Sequence, residues 1–218
     1  MPITDAQAYD VQRLLHRALR QEAPVVGFKL GYTSSVMREA MGIADPNYGR
    51  LTRDMVKASP ACIGSLTQPK VEPEFAVVVG TNLTIDAVHA SMEVVDSVWA
   101  DYQFTWAHNT ADGSSAACAV IGDEIPVDVS LTDVTIEMMS SSGESAAVRA
   151  QDAGIDLDES LSWLASQSDV PRALQPMDVV LTGGLLAPFD LLDGGWIETT
   201  FRSGSWVTRV RVERNESG

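Results

Sequence analysis

Lys70-Val71-Glu72-Pro73-Glu74-Phe75-Ala76-Val77-Val78-Val79 is the stretch from which the fold can be read. From Val71 onward it is rich in β-branched residues, which fit a pleated, half-buried surface, and this predicts a strand over 71–79. Pro73 has no N–H to give to a ladder, so it points to an edge or a bulge at that position. Residues two apart on a strand share a face, with Cα atoms about 6.5–7 Å apart, so Glu72 and Glu74 can converge on one cation. Two carboxylates so placed suit a hard metal. The other reading at this point is a solvated face of an acidic protein.

Further along, residues 92–98 form a second apolar run, interrupted by Glu93 and Asp96. A carboxylate inside a core strand is costly unless it is compensated, so Glu93 asks for a bound cation or a neighbouring arginine. Three carboxylate oxygens make half an octahedron and leave positions for water or a chelating substrate, an arrangement suited to Mg2+ or Mn2+. Upstream, Thr4 and Gln7 have capping-box spacing, and Val11, Leu14, Leu15, Ala18 and Leu19 recur at helical intervals until Pro24, which predicts an amphipathic helix over about 4–21. A short strand over 25–30 ends at Gly31 and puts Lys29 near its end. Thr33-Ser34-Ser35 can cap a brief helix through Met41, and a loop is expected over 42–49.

Beyond Asp112 the pattern becomes short strands, at 118–121, 134–140, 146–150, 178–181, 196–201 and 206–212, with one helix near 157–166. Ser141-Ser142-Gly143-Glu144 and Arg202-Ser203-Gly204-Ser205 read as hairpin turns. Strands grouped in this way, without regular βα alternation, indicate an α+β fold with a mixed or largely antiparallel sheet. The length, 218 residues, fits one catalytic domain, 1–218, made of the first helix and a β-core over about 24–214.

Asp and Glu outnumber Lys and Arg by 30 to 15, and the formal charge of −15 repels phosphate backbones and anionic lipid, so neither nucleic acid nor membrane is expected as a partner. With 45% apolar and 21% charged residues the chain is too hydrophobic for disorder, and no apolar run reaches the ~20 residues that cross a bilayer. The first residues do not resemble a secretory signal, which implies a cytoplasmic protein. Cys62 and Cys118 form no CxxC pair and read as reduced thiols. His16, His89 and His108 lie far apart, and no GxGxxG, phosphate-loop, HExxH or GxSxG signature is present.

Several separated segments, in order, resemble the 2-keto-4-pentenoate hydratase and 4-oxalocrotonate decarboxylase group of the fumarylacetoacetate hydrolase superfamily. They are Gly27-Phe28-Lys29-Leu30-Gly31-Tyr32-Thr33-Ser34, Pro46-Asn47-Tyr48-Gly49-Arg50-Leu51, Val71-Glu72-Pro73-Glu74, Glu93-Val94-Val95-Asp96-Ser97, Ala111-Asp112-Gly113-Ser114-Ser115 and Val180-Leu181-Thr182-Gly183-Gly184. The resemblance implies a mixed β-roll or β-sandwich core with flanking helices. It makes Glu72, Glu74 and Glu93 the metal ligands, Lys29 and Asp112 the catalytic pair, and Gly31, Ser115 and Thr182 substrate contacts. Two departures stand out: Asn47 replaces an Asp of the family's Pro-Asp-Phe/Tyr-Gly, and Gly113 replaces the Asn of its ADNAS-like stretch.

The activity so implied is metal-dependent addition of water to a 2-hydroxy-2,4-dienoate, giving a 4-hydroxy-2-oxo acid, a lyase reaction of aromatic catabolism. The alternatives are decarboxylation of a 2-oxo acid of the 4-oxalocrotonate type, hydrolytic cleavage of an acylpyruvate, and a catalytically silent protein that binds 2-oxo acids or supports an active partner. A homo-oligomer, dimer or larger, is the implied assembly.

Overall fold

The computed structural model describes residues 3–20 and 23–216; residue 21, the expected last residue of the first helix, lies outside them. The helices are α1 (Asp5–Arg20), α2 (Ser35–Met41), α3 (Trp106–Ala111), α4 (Ala150–Ala153) and α5 (Leu157–Ser166). The strands begin with β1 (Val25–Gly31), β2 (Asn47–Thr52), β3 (Val56–Ala58), β4 (Ala61–Ile63), β5 (Lys70–Val79), β6 (Ile85–Val95) and β7 (Ala116–Glu124). They continue with β8 (Thr135–Ser140), β9 (Ser145–Arg149), β10 (Val179–Leu181), β11 (Phe189–Asp190), β12 (Trp196–Ser203) and β13 (Trp206–Arg214).

The strands form two sheets. The larger runs β2-β1-β10-β5-β6-β7-β3, with β11 also paired to β5, and the smaller runs β4-β13-β12-β8-β9. Pairing is mostly antiparallel, but β1 with β10, β3 with β7 and β4 with β13 are parallel, so the sheets are mixed as expected. Paired residues share a face. One face of the larger sheet carries Val71, Phe75, Ala90, Met92 and Val94, which pack against Ile136, Met138, Ile197, Phe201, Val210 and Val212 of the smaller sheet. The same face continues through Val77, Val180 and Phe28, where α5 covers it with Leu161 and Leu164. The opposite face carries the polar cluster.

Pro73 lies at neither an edge nor a bulge. It is paired with Met92 inside an inner strand, and the register shift of β5 against β6 comes later, between Val78 and Val79. Its carbonyl accepts from Leu185 N at 2.8 Å. On an antiparallel strand a residue's N and O point to the same side, so the missing N–H faces the interval between β11, paired at residues 70 and 71, and β10, paired at 76 to 78. The second apolar run also differs from expectation. Its strand begins at Ile85 and ends at Val95, while Asp96 turns out of the sheet to accept from Thr67 N and Gln68 N. Residues 47–49, expected in a loop, open β2, because the whole of Asn47–Thr52 is buried against β1.

In α1 the Gln7 side chain accepts from Thr4 N and Thr4 Oγ1, as the capping spacing predicts. The inward face, however, is not the leucine face. Ala8 and Gln12 are buried, with Gln12 Nε2 donating to the carbonyls of Tyr48 and Thr110 and Tyr9 stacked on Tyr48, while Leu14, Leu15 and Leu19 are exposed. The helix packs over backbone carbonyls at the ends of β2 and α3, which an amide can satisfy and a leucine cannot. Among the described residues, no helix is long and apolar enough to cross a membrane.

Candidate active site

Sheet register alone gathers the acids. Glu72 stands directly opposite Glu93, and Glu74 lies two residues along the same face. Lys29 is paired with Leu181 and Leu181 with Ala76, so Lys29 reaches this face from two strands away. Ligand oxygens of Glu72, Glu74 and Glu93 all lie within 4.8 Å of one another. Glu74 and Glu93 are fully buried, Lys29 nearly so, and Glu72 is partly exposed.

Three carboxylates face one ammonium. Lys29 Nζ lies 3.1 Å from Glu93 Oε2 and donates to Ser114 Oγ at 3.1 Å. Glu74 Oε2 accepts from Gly183 N at 2.8 Å, but Glu74 Oε1 and Glu93 Oε1 have no hydrogen-bond partner. Buried polar atoms are nearly always satisfied, so two orphaned oxygens in an acidic cluster fit a cation bound between them. Burial pushes all three carboxyls above the usual range. Glu74 goes well above it, further raised by Glu93 and Glu72, and Glu93 reaches about 7, with Lys29 pulling the other way. Burial alone would lower Lys29, but the charges of Glu93, Glu72 and Glu74 outweigh it and hold the ammonium protonated.

A directed chain of hydrogen bonds leaves this lysine. Ser114 Oγ donates to Asn47 Oδ1 at 2.9 Å, Asn47 Nδ2 donates to Asn109 Oδ1 and Thr110 Oγ1, both at 2.9 Å, and Asn109 Nδ2 donates to Ser115 Oγ at 3.0 Å. The amide at 47 accepts at one end and donates at the other, which fixes the direction. Ser114 owes its aim to a left-handed turn, with φ of 72, 57 and 55° at Gly113, Ser114 and Ser115. The Gly113 carbonyl lies 2.0 Å from where a Cβ on Gly49 would stand, so only glycine lets this turn close on β2.

The structure thus brings together Lys29, Glu72, Glu74 and Glu93 from the expected residues. Gly31 borders them: a Cβ there would meet Asn47 Oδ1 at 2.3 Å and Ser114 Oγ at 2.6 Å. Thr182 uses its hydroxyl and its N–H on Phe75 O, and so fixes the turn that offers Gly183 N to Glu74. Ser115 is the far end of the chain from Lys29, four hydrogen bonds away through Ser114, Asn47 and Asn109. Asp112 is not brought to the cluster. Its Oδ2 accepts from Val98 N at 3.2 Å, and it lines a cavity with Gln12, His16, Arg50 and Asp96, none of them in the cluster. There burial, with a smaller push from Asp96, raises its carboxyl to about 6. Sequence reasoning missed Ser114, Asn109 and the backbone of Gly183. The Asn47 departure pointed to this region without its geometry.

No family model matches the chain. It is 33% identical over 200 residues to 2-keto-4-pentenoate hydratase 1 of Dechloromonas aromatica (strain RCB), covering 82% of this chain and 74% of that protein. It is also 33% identical over 135 residues to 4-oxalocrotonate decarboxylase of a Pseudomonas species, covering 55% and 52% of the two chains. In fold it is similar to the 4-oxalocrotonate decarboxylase from Pseudomonas putida G7 complexed with magnesium and adipate, with a TM-score of 0.83, 23% identity, and coverage of 97% of this chain and 86% of that one. The relatives' identity over most of the chain shows that the protein belongs to the lyases of the 2-keto-4-pentenoate hydratase and 4-oxalocrotonate decarboxylase group.

Proposed function

We propose that this chain adds water to a 2-hydroxy-2,4-dienoate, as its 2-oxo tautomer, to give a 4-hydroxy-2-oxo acid, with Glu72, Glu74 and Glu93 holding Mg2+ or Mn2+. The observation that carries this reading is the pair of orphaned oxygens, Glu74 Oε1 and Glu93 Oε1, in a cluster of three carboxylates beside a single lysine. A divalent ion held there supplies an electrophile for the oxygens of an α-keto acid. Lys29, kept protonated by its neighbours, donates a hydrogen bond to the 2-oxygen as negative charge develops on it. Ser114 accepts from the ammonium and is itself committed to Asn47, so it orients Lys29 without competing for its proton. Gly31 and Thr182 act by shaping the cluster and Ser115 by ending the hydrogen-bond chain that starts at Lys29, while the position of Asp112, in a different cavity, gives it no direct part in proton transfer. The reading extends to a cytoplasmic homo-oligomer of aromatic catabolism, on the family resemblance alone.

The test follows the absorbance of a 2-hydroxydienoate and the release of CO2 by chelator-treated protein with and without Mg2+ or Mn2+. The expected result is metal-dependent loss of the dienoate without CO2, and at least a ~10²-fold loss of rate in Glu74→Gln with an unchanged circular dichroism spectrum. Stoichiometric CO2 would replace hydration by decarboxylation. Full activity in Glu74→Gln would remove the metal site from the reaction.

A further inference from the structure

Asn47 is buried, and so are Ser114, Asn109 and Thr110, the residues its side chain touches. Sheet register sets it beside Lys29. Gly31 pairs with Asn47 and Lys29 with Gly49, so Asn47 projects from the same face as Lys29, one pleat along. The hydrogen bond between Ser114 and Asn47 passes over the bare backbone of Gly31, where a Cβ would meet Asn47 Oδ1 at 2.3 Å and Ser114 Oγ at 2.6 Å.

A lysine ammonium has three N–H donors and no acceptor, so the direction of the chain is set at its end. Lys29 Nζ faces Glu93 Oε2 and Ser114 Oγ, each at 3.1 Å; among the described residues no third partner takes an N–H, and one donor is left for a substrate oxygen. Because Ser114 Oγ accepts from Nζ, its own proton must go elsewhere, and it goes to Asn47 Oδ1 at 2.9 Å. Without that acceptor the hydroxyl would rotate, and its lone pair would no longer be held on Nζ. The amide at 47 is in turn held from behind. Its Nδ2 gives both protons to α3, to Asn109 Oδ1 and Thr110 Oγ1. Gln12 Nε2, donating to the carbonyls of Tyr48 and Thr110 at 2.8 Å, ties β2 to the same turn of α3. The oxygen that receives the Ser114 proton is thus fixed from α1 and α3.

We propose that Asn47 is a positioning residue of the reaction: through Ser114 it holds the Lys29 ammonium so that its one uncommitted N–H is free for the 2-oxygen of the substrate. The inference rests on the functional reading above for the substrate, and on the hydrogen bonds alone for the hold on Lys29. What the position must supply is an acceptor toward Ser114. Asn47→Asp keeps one, since Asn109 can turn its amide and Thr110 its hydroxyl to donate in place of accepting, whereas Asn47→Ala has none.

Two measurements test this. In a 15N-edited spectrum of the chelator-treated protein, the Lys29 ammonium, identified by its absence in Lys29→Met, should exchange with water slowly, and at least about tenfold faster in both Asn47→Ala and Ser114→Ala. With Mg2+ and a 2-hydroxydienoate, each of these variants should lose about 10- to 100-fold in kcat with KM within about twofold of the parent. Their combination should lose no more than Ser114→Ala alone, and Asn47→Asp should recover kcat to within about threefold. Losses that multiply in the double variant, or equal losses in Asn47→Asp and Asn47→Ala, overturn the proposal and leave Asn47 a residue of stability only. Slow exchange that persists in Ser114→Ala overturns it even where Asn47→Ala does not fold, because Ser114 is the link. If the parent turns over no dienoate, the functional reading fails, and exchange alone decides: faster exchange in both single variants keeps Asn47 as the residue that holds Lys29, and unchanged exchange refutes it.

Discussion

Lys29 neutralises one of three clustered carboxylates and at the same time stands in the way of a cation bound by them. Its ammonium lies 3.1 Å from Glu93 Oε2, on the same carboxylate whose Oε1 the metal reading claims. Removing the charge should therefore separate binding from chemistry. In Lys29→Met we expect Mg2+ to bind at least as tightly as in the parent, because a repelling charge is gone, while kcat falls about 10²–10⁴-fold for want of the proton donor. Metal titration alongside steady-state kinetics checks both halves, and a variant that lost metal affinity in step with activity would show Lys29 to be part of the binding site only. At this scale the sequence was partly legible. The two-residue spacing of Glu72 and Glu74 gave their common face, and Glu93's place in an apolar run gave its need for a cation. The choice between Ser114 and Ser115 was not legible, because it depends on a left-handed turn at two non-glycine residues that no spacing rule anticipates.

Between strands, the site depends on what happens at the end of β10. Gly183 has φ of +110°, and a Cβ there would stand 2.0 Å from Thr33 Oγ1, so both conformation and space require glycine. That backbone sends Gly183 N to Glu74 Oε2. Gly183→Ala should twist the turn, free Glu74 and push against the chain just after β1. The expected outcome is a loss on the order of 2–4 kcal/mol, read as a fall of several degrees in Tm, together with weaker metal binding. A variant with parent-like Tm and metal affinity would contradict the role given to this turn. The elements themselves were legible where a single segment decided them. The strand at 71–79, the helix at 157–166 and the two hairpin turns are all present. Elements decided by their neighbours were not. Pro73 is tolerated inside the sheet because β10 and β11 leave an interval beside it, and α1 turns its glutamine rather than its leucines inward because the surface it covers is made of carbonyls.

At the scale of the whole molecule, three carboxyl groups are gathered on one face of the larger sheet, two of them fully buried. Glu72, Glu74 and Glu93 are all held above the ordinary carboxylate range by burial, so the folded chain binds their protons more tightly than the unfolded chain does. For an acid raised in this way, the unfolded state carries fewer protons between the two pKa values, and stability falls as pH rises through that window. For Glu93 the window runs from 4.5 to about 7, a contribution on the order of 3 kcal/mol, and Glu74 extends it upward. Asp112, raised to about 6, acts in the same direction. Chelator-treated protein should therefore lose thermal stability steadily from pH 5 to pH 8. A divalent cation favours the ionised carboxylates, so added Mg2+ should restore most of that loss above pH 7 and have little effect at pH 5, where protons hold the ligands. Melting curves at pH 5, 6, 7 and 8, with chelator and with Mg2+, measure this directly. A chelated protein whose Tm rose across that range would mean that the three glutamates are ionised without a metal, and the cluster would then have to find its compensating charge elsewhere in the fold.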